Sequence, residues 1–285
     1  MKTISFSAAS GIALAGILSL PHAEAQQRSV QVGYCTSVKN VAAAKAAGFD
    51  YVEVATTEIA ALSDTDFEKV LQDARQVGLP TPAANLFLPA TLKVTGPAID
   101  RAQQMAHVRR AFDRLSRLGT QIVVFGSGGA RRVPDGFSKD EAFMQLVEFG
   151  KRIAPEARAR GITVAIEPLR REETNMINSA AEGLALVEAI DDQNFQLMID
   201  FYHLASEKES PAIVSRAKDH LRHLHMANPT GRVFPLAWDE FDYAPFFAAL
   251  RQAGYNQRIS VEASTKDLAA EAPRAIALLR RAFVS

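Results

Sequence analysis

Cysteine is almost missing: one residue, Cys35, in a chain of 285. That excludes an intramolecular disulfide framework and any zinc site built from cysteines. A surplus of charge is missing too, since 32 Lys and Arg face 32 Asp and Glu and the formal net charge is zero. Proteins that grip a nucleic-acid backbone need an excess of Lys and Arg, so the balance argues for no nucleic-acid partner, although a local basic patch remains compatible with it. No Pro/Ser/Gly-rich run and no block of like charge interrupts the chain after its first residues, so nothing marks a linker between domains. What is present is ordinary globular content, 48% hydrophobic and 22% charged. Disordered, collagen-like and coiled-coil classes are thereby excluded.

One apolar stretch stands apart, at the start. Met1-Lys2 is followed by apolar sequence to Leu20 and then Pro21-His22-Ala23-Glu24-Ala25. A positive start, an apolar centre and a small-x-small site describe a secretory signal peptide cleaved before Gln26. A membrane anchor fits less well, because Ser5, Ser7, Ser10, Gly11 and Gly16 dilute the run and Pro21 ends it. The expectation is an exported protein, periplasmic or secreted and off the membrane after cleavage, with residues 26–285 as a single domain.

Across those residues, short β-branched or aliphatic runs alternate with amphipathic ones. Strands are expected at 30–34, 51–55, 81–87, 121–125, 163–167, 196–200, 223–226 and 259–262. Helices are expected near 39–48, 64–78, 98–118, 139–160, 179–190, 211–220, 241–253 and 267–283. Ser138 with Glu141, and Ser179 with Glu182, have the spacing of capping boxes. Gly48, Gly78, Gly119, Gly161 and Gly254 fall where helices should stop. Eight strand–helix units with no hairpin signal predict an α/β fold with a parallel sheet, and eight is the number that closes a (β/α)8 TIM barrel. The rival, a doubly wound open sheet, lacks a G-x-G-x-x-G turn after the first strand.

In such a barrel, functional groups collect at the C-terminal ends of the strands. Strand five ends in Val164-Ala-Ile-Glu167-Pro168, and strand six in Met198-Ile-Asp200-Phe-Tyr-His203. Strand seven reads His223-Leu-His225-Met-Ala-Asn228, and strand eight ends in Ser260-Val-Glu262-Ala263. Each acidic residue follows apolar ones, where an uncompensated carboxylate is expensive to bury. A lone strand-end acid usually caps a helix or pairs with an Arg. Glu, Asp, His and Glu on four consecutive strands instead form a hard, oxygen-rich donor set suited to Mn²⁺, Mg²⁺ or a similar divalent ion.

These same segments, Ile-Glu-Pro, Met-Ile-Asp-x-x-His, His-Leu-His-Met and Ser-Val-Glu, resemble the sugar phosphate isomerase/epimerase family of xylose isomerase-like TIM barrels. That family also includes ketose 3-epimerases, hydroxypyruvate isomerase and keto-inositol dehydratases. The resemblance spans residues 26–285 and is most specific from Val164 to Ala263. It implies one divalent metal, Mn²⁺ before Mg²⁺, Co²⁺ or Zn²⁺, on Glu167, Asp200, His225 and Glu262. It further implies that Glu167 and Glu262 are the two catalytic proton-transfer groups, and that His203 and Arg232 hold substrate oxygens. Arg232 stands one position further from His225 than the family spacing, and residues 233–238 replace a Gly-rich turn. His223, two residues before His225, lies one layer deeper on the same strand face and reads as a core histidine. The 126–129 turn, Gly-Ser-Gly-Gly followed by Arg131 and Arg132, also looks like a loop of one family branch. Its amides could cradle an anion, although such turns are more often simply tight.

The expected activity is isomerisation or epimerisation of a sugar or keto-sugar through an enediolate, with a small carbohydrate as partner, acting alone or as a homo-oligomer. Export favours a free, oxidised or glycosidically linked sugar over a phosphorylated one. The alternatives are a lyase or dehydratase using the same metal site, and a noncatalytic extracytoplasmic sugar-binding protein. A DNA-repair endonuclease on this barrel needs a multi-zinc cluster with further His ligands, and the chain has only six His.

Overall fold

The computed structural model describes residues 30–284, together with Met1 and Thr3. The stretch read as a signal peptide lies otherwise outside the described residues. Eight parallel strands close on themselves in sequence order: β1 (Gln31–Cys35), β2 (Tyr51–Ala55), β3 (Ala83–Asn85), β4 (Ile122–Phe125), β5 (Thr163–Ile166), β6 (Phe195–Asp200), β7 (Leu221–Met226) and β8 (Arg258–Val261). The helices are α1 (Val41–Ala46), α2 (Thr56–Ala61), α3 (Asp64–Val77), α4 (Arg101–Arg117), α5 (Gly128–Arg131), α6 (Lys139–Arg158), α7 (Ala180–Ile190), α8 (Phe201–Ser206), α9 (Ile213–Ala217), α10 (Ala244–Gln252) and α11 (Leu268–Ala282). Among the described residues no helix is long and apolar enough to cross a membrane.

Two apolar regions hold the barrel. The larger lies between strands and helices and includes Val52, Val54, Val123, Leu197 and Leu224, with Phe112 of α4 and Leu279 of α11. The smaller fills the bore with Tyr51, Ala83, Ile122, Val124, Ala165 and Met198. Alternation along each strand sends successive side chains to the two regions, so every barrel strand is buried on both faces. Tyr51 needs room that β1 supplies at Gly33, its register partner, where an added Cβ would sit 2.1 Å from the ring.

The expected punctuation holds locally. Gly48, Gly78, Gly119, Gly161 and Gly254 all adopt positive φ. Ser138 and Ser179 each accept the amide of the residue three ahead, but Glu182 reaches back to the Asn178 amide instead of that of Ser179. The other departures are also local. The third strand shrinks from 81–87 to three residues, because Pro80 and Pro82 offer no N–H and Leu86 turns out at φ 48°. The helix expected at 39–48 is a 3-10 turn, Val38–Asn40, running into α1, and the one at 211–220 contracts to α9. Helices α2, α5 and α8 are additions. Arg114 of α4 secures α2 by donating to the Ile59 and Leu62 carbonyls at 2.9 and 2.8 Å, which serves orphan acceptors at a helix C-terminus.

Gly33→Ala is expected to overpack the bore and to destabilise the protein by about 1–3 kcal/mol. Urea unfolding followed by circular dichroism measures this; an unchanged midpoint would show that Tyr51 can move aside.

Candidate active site at the barrel rim

Strand register brings the rim residues together. Asp200 of β6 pairs with His225 of β7, which pairs with Ser260 of β8, so the side chains of three adjacent strands point into the bore at one level. Glu167 follows β5 and Glu262 follows β8. One donor atom from each of Glu167, Asp200, His225 and Glu262 lies within 4.8 Å of all the others. His225 Nδ1 is 3.4 Å from Glu167 Oε1 and 3.4 Å from Glu262 Oε2. The structure therefore assembles all four residues expected as ligands, although they are spread over 96 positions of sequence from Glu167 to Glu262.

Three of these donors are buried without a hydrogen-bond partner: Glu167 Oε1, Asp200 Oδ2 and His225 Nδ1. Buried polar atoms are normally satisfied, so orphans converging on one point fit a cation. Asp200 divides its work. Its Oδ1 caps α8 by accepting the Tyr202 amide at 2.8 Å, and Oδ2 is left for the site. The ordinary helix-capping role of a strand-end acid thus leaves the second oxygen of the same carboxylate available for the expected ligand role. Donors this close together suit a single ion whose opposed oxygen ligands stand about 4 Å apart.

The remaining expected residues also arrive. His203 Nδ1 accepts the Arg170 amide at 3.3 Å, so the neutral ring carries its proton on Nε2, which lies 3.5 Å from Asp200 Oδ2. Burial, with the Arg232 charge adding, depresses its pKa to about 3, and the ring is a neutral donor. Arg232 reaches Glu262 Oε2 at 2.5 Å and Asp200 Oδ2 at 3.6 Å. Its late position is absorbed by Gly231 and Arg232 itself, at φ 86° and 50°, and its guanidinium stacks 4.6 Å over Tyr202. His223 lies in the core as expected, donating from Nε2 to Glu53 at 2.8 Å.

Four participants were not read from sequence. Glu53 of β2 is fully buried and binds both strand-seven histidines. Asn85 donates to Glu262 Oε1 at 2.9 Å. Glu173 contacts Arg232 Nη1 at 3.3 Å and stands 4.0 Å from His203 Nε2. Cys35 has its sulfur 3.9 Å from His225 Nε2, and burial and the Glu53 charge push its thiol well above the usual range, which makes it a poor nucleophile. Asn85 stands at the C-terminal end of β3, a position that could have flagged it; Glu53, in mid-strand, had no such mark.

The 126–129 turn is tight for packing. A Cβ at Gly126 would sit 2.3 Å from Glu167 Oε2, and one at Gly129 would sit 2.7 Å from the Ala90 side chain. Arg131 and Arg132 are spent on carbonyls. Arg131, fully buried, donates to the Phe125 and Glu167 carbonyls at 3.1 and 2.7 Å, and Arg132 donates to that of Glu173. Above the rim, a cavity of about 720 Å³ is lined by Ser37, Glu58, Asn85, Leu86, Ser127 and Glu173 together with Glu167, Arg232 and Glu262.

The carboxylates do not share one ionisation behaviour. Burial, reinforced by the Glu262 and Glu167 charges, pushes Asp200 up to about 8. Burial and the Glu262 charge also raise Glu167. For Glu262 burial acts in the same direction, but His225 and Arg232 outweigh it and hold the group at about 2. Burial would lower His225, yet Glu53, with Cys35 and Glu262 adding, keeps its pKa well above the ordinary value.

A closed (β/α)8 barrel with three carboxylates and an imidazole converging at the C-terminal rim defines the xylose isomerase-like class. The family model described as "Xylose isomerase-like TIM barrel" matches residues 41–282, and the chain belongs to that family. It is similar to an L-ribulose 3-epimerase from Methylomonas sp. (strain DH-1), 30% identical over 236 residues that cover 81% of this chain and 79% of the relative. A D-psicose 3-epimerase from Agrobacterium fabrum is 28% identical over 236 residues, 77% of this chain and 76% of the relative. Among solved structures, the D-allulose 3-epimerase from Methylomonas sp. in complex with D-allulose matches with a TM-score of 0.78 and 26% identity, over 89% of this chain and 97% of that one. The protein is an enzyme of the sugar isomerase and epimerase type.

If the orphaned donors take a divalent ion, they must shed the protons that Asp200 and His225 hold at neutral pH. Mn²⁺ affinity is then expected to rise with pH through about 8, the value to which Asp200 is pushed, with protons released on binding. Titration calorimetry in buffers of different ionisation enthalpy measures both; pH-independent affinity would contradict the charge assignment.

Proposed function

We propose that this protein is a divalent-metal-dependent epimerase of a free ketose, inverting the carbinol carbon beside the sugar carbonyl. The observation that carries the reading is the pair of glutamate oxygens, Glu167 Oε1 and Glu262 Oε2, each 3.4 Å from the same His225 nitrogen. Two carboxyl groups from strands separated around the barrel then flank one small volume, the arrangement that proton transfer to and from opposite faces of a carbon requires. Support comes also from the relatives, whose names specify free ketoses, L-ribulose and D-psicose. The export signal read in residues 1–25 points the same way, toward an unphosphorylated sugar outside the cytoplasm.

Glu167, Asp200, His225 and Glu262 would hold the metal, with Mn²⁺ first among hard divalent ions. Bound there, it supplies a Lewis acid for the carbonyl oxygen and so acidifies the neighbouring C–H. Glu167 takes that proton as the C–H electrons move into the enediolate double bond. Glu262 returns a proton to the other face as the carbonyl re-forms. Because the reaction runs both ways, each glutamate is base for one epimer and acid for the other. The two environments differ, Glu262 held ionised and Glu167 raised toward its protonated form, which suits Glu262 as base and Glu167 as acid, the reverse of the direction that starts from Glu167. His203 presents an Nε2–H donor to a substrate oxygen. Arg232 supplies positive charge beside Glu262 and Asp200, and Glu173 offers an acceptor to a hydroxyl.

The purified protein with Mn²⁺, given D-psicose or L-ribulose in D₂O, is expected to place deuterium at C3 and to form the C3 epimer, read by NMR. Glu167→Gln and Glu262→Gln should each lose roughly 10²–10⁴-fold in turnover. Undiminished turnover in both variants would overturn the roles given to the glutamates. A product lighter by one water would replace epimerisation with elimination, and sugar binding without exchange under all conditions would replace catalysis with a binding role.

A further inference from the structure

Glu53 is the third residue of β2, it points into the bore, and its side chain has no exposure to solvent. An ionised carboxylate in such a place is costly unless hydrogen bonds and opposite charge compensate it. Here three donors converge on it. His225 Nε2 donates to Oε1 at 2.9 Å, and His223 Nε2 donates to Oε2 at 2.8 Å. Ser260 Oγ donates to Oε2 at 2.6 Å, and with its proton so used it accepts the Tyr51 hydroxyl at 2.8 Å. The result is a buried polar layer from β2, β7 and β8 directly beneath the rim.

We infer that Glu53 is a positioning residue for the metal site, fixing which nitrogen of His225 faces the ion. The inference rests on the proposed reading of His225 as a metal ligand. A carboxylate is an acceptor only, so the imidazole nitrogen touching it must carry hydrogen. With Nε2–H committed to Glu53, the nitrogen that can lose its proton and offer a lone pair is Nδ1. That is the atom 3.4 Å from Glu167 and from Glu262 and without a partner of its own. The same bond stops the ring from turning over, which would exchange the two nitrogens. Carboxylate–imidazole–metal relays of this kind set the tautomer and basicity of the ligand, and breaking them weakens metal binding about 10–100-fold. No other described group competes for the role: the Cys35 sulfur, at 3.9 Å from Nε2, is the remaining neighbour of that nitrogen and makes a weaker contact.

The informative substitution is Glu53→Gln, close in size but with one acceptor edge and one donor edge. An amide cannot accept from both histidines, so one ring must move its proton to Nδ1. On His225 that blocks the ligating nitrogen; on His223 it breaks the arrangement that supports the layer. Protein freed of metal with EDTA is titrated with Mn²⁺ by calorimetry, with circular dichroism melts as a check on folding. Wild type is expected to bind, Asp200→Asn to lose binding, and Glu53→Gln to bind 10–100-fold more weakly with its fold retained. Glu53→Asp, which keeps the charge but draws it back by one methylene, should fall between Glu53→Gln and wild type. It carries the test if Glu53→Gln does not fold. Wild-type affinity in Glu53→Gln, or in Glu53→Asp if that is the folded one, while Asp200→Asn still abolishes binding, would overturn the role of Glu53 and leave the metal reading standing. Absence of Mn²⁺ binding in wild type, or binding untouched by Asp200→Asn, would overturn the metal reading itself.

Discussion

One imidazole surrounded by carboxylates governs the rim of this barrel. His225 has no exposed surface, yet Glu53 lies against one nitrogen and Glu167 and Glu262 against the other. Taking several carboxylates out of water on a single protein opposes folding, and the opposition is met by positive charge and by hydrogen bonds. His225 and Arg232 supply charge, while Asn85, Ser260 and the Tyr202 amide supply donors. Even so Asp200 remains ill-compensated, as its rise to about 8 records. Such a deficit fits a partner that brings positive charge, as the proposed divalent ion would.

The fold makes that arrangement rigid. Parallel register sets Asp200, His225 and Ser260 side by side, so their relative heights depend on strand pairing and not on loop conformation. Arg131 ties the end of β4 to Glu167 through two carbonyls, which anchors a residue that lies just past its strand. Gly126 lets the neighbouring turn pass close to the Glu167 carboxylate. Sites held by strands and buried clamps keep the alignment that the proposed proton transfer demands, beneath the more open cavity above.

Much of this is legible in the order of the amino acids, and the reasons are physical. Eight apolar runs of strand length separated by helix-length segments leave few architectures open. Acids at the ends of those runs stand out because burying them without purpose is unfavourable. Glu167, Asp200, His225 and Glu262 were legible on that ground, and His203 and Arg232 through the family pattern. Glu53 was not. In Tyr51-Val-Glu53-Val54 the acid stands in mid-strand, away from the rim, and only closure of the barrel makes the inner face as dry as the outer. Asn85 stands at the end of its strand but, like Glu173, matters through a partner far along the chain, Glu262 and Arg232 respectively. Helix α2 escaped notice because its C-terminal carbonyls are served by Arg110 and Arg114, from about 50 residues away.

Periodicity and the cost of burying charge are local properties of a chain, and they suffice to predict the barrel, the rim on which chemistry collects and the kind of donors found there. Which nitrogen of His225 faces the carboxylates, how Asp200 divides its two oxygens, and the contact of Glu53 with both strand-seven histidines follow only from the folded barrel. Those outcomes depend on distances between strands and on who shares a proton with whom. Such relations come into being only when the barrel closes and water is excluded from its bore.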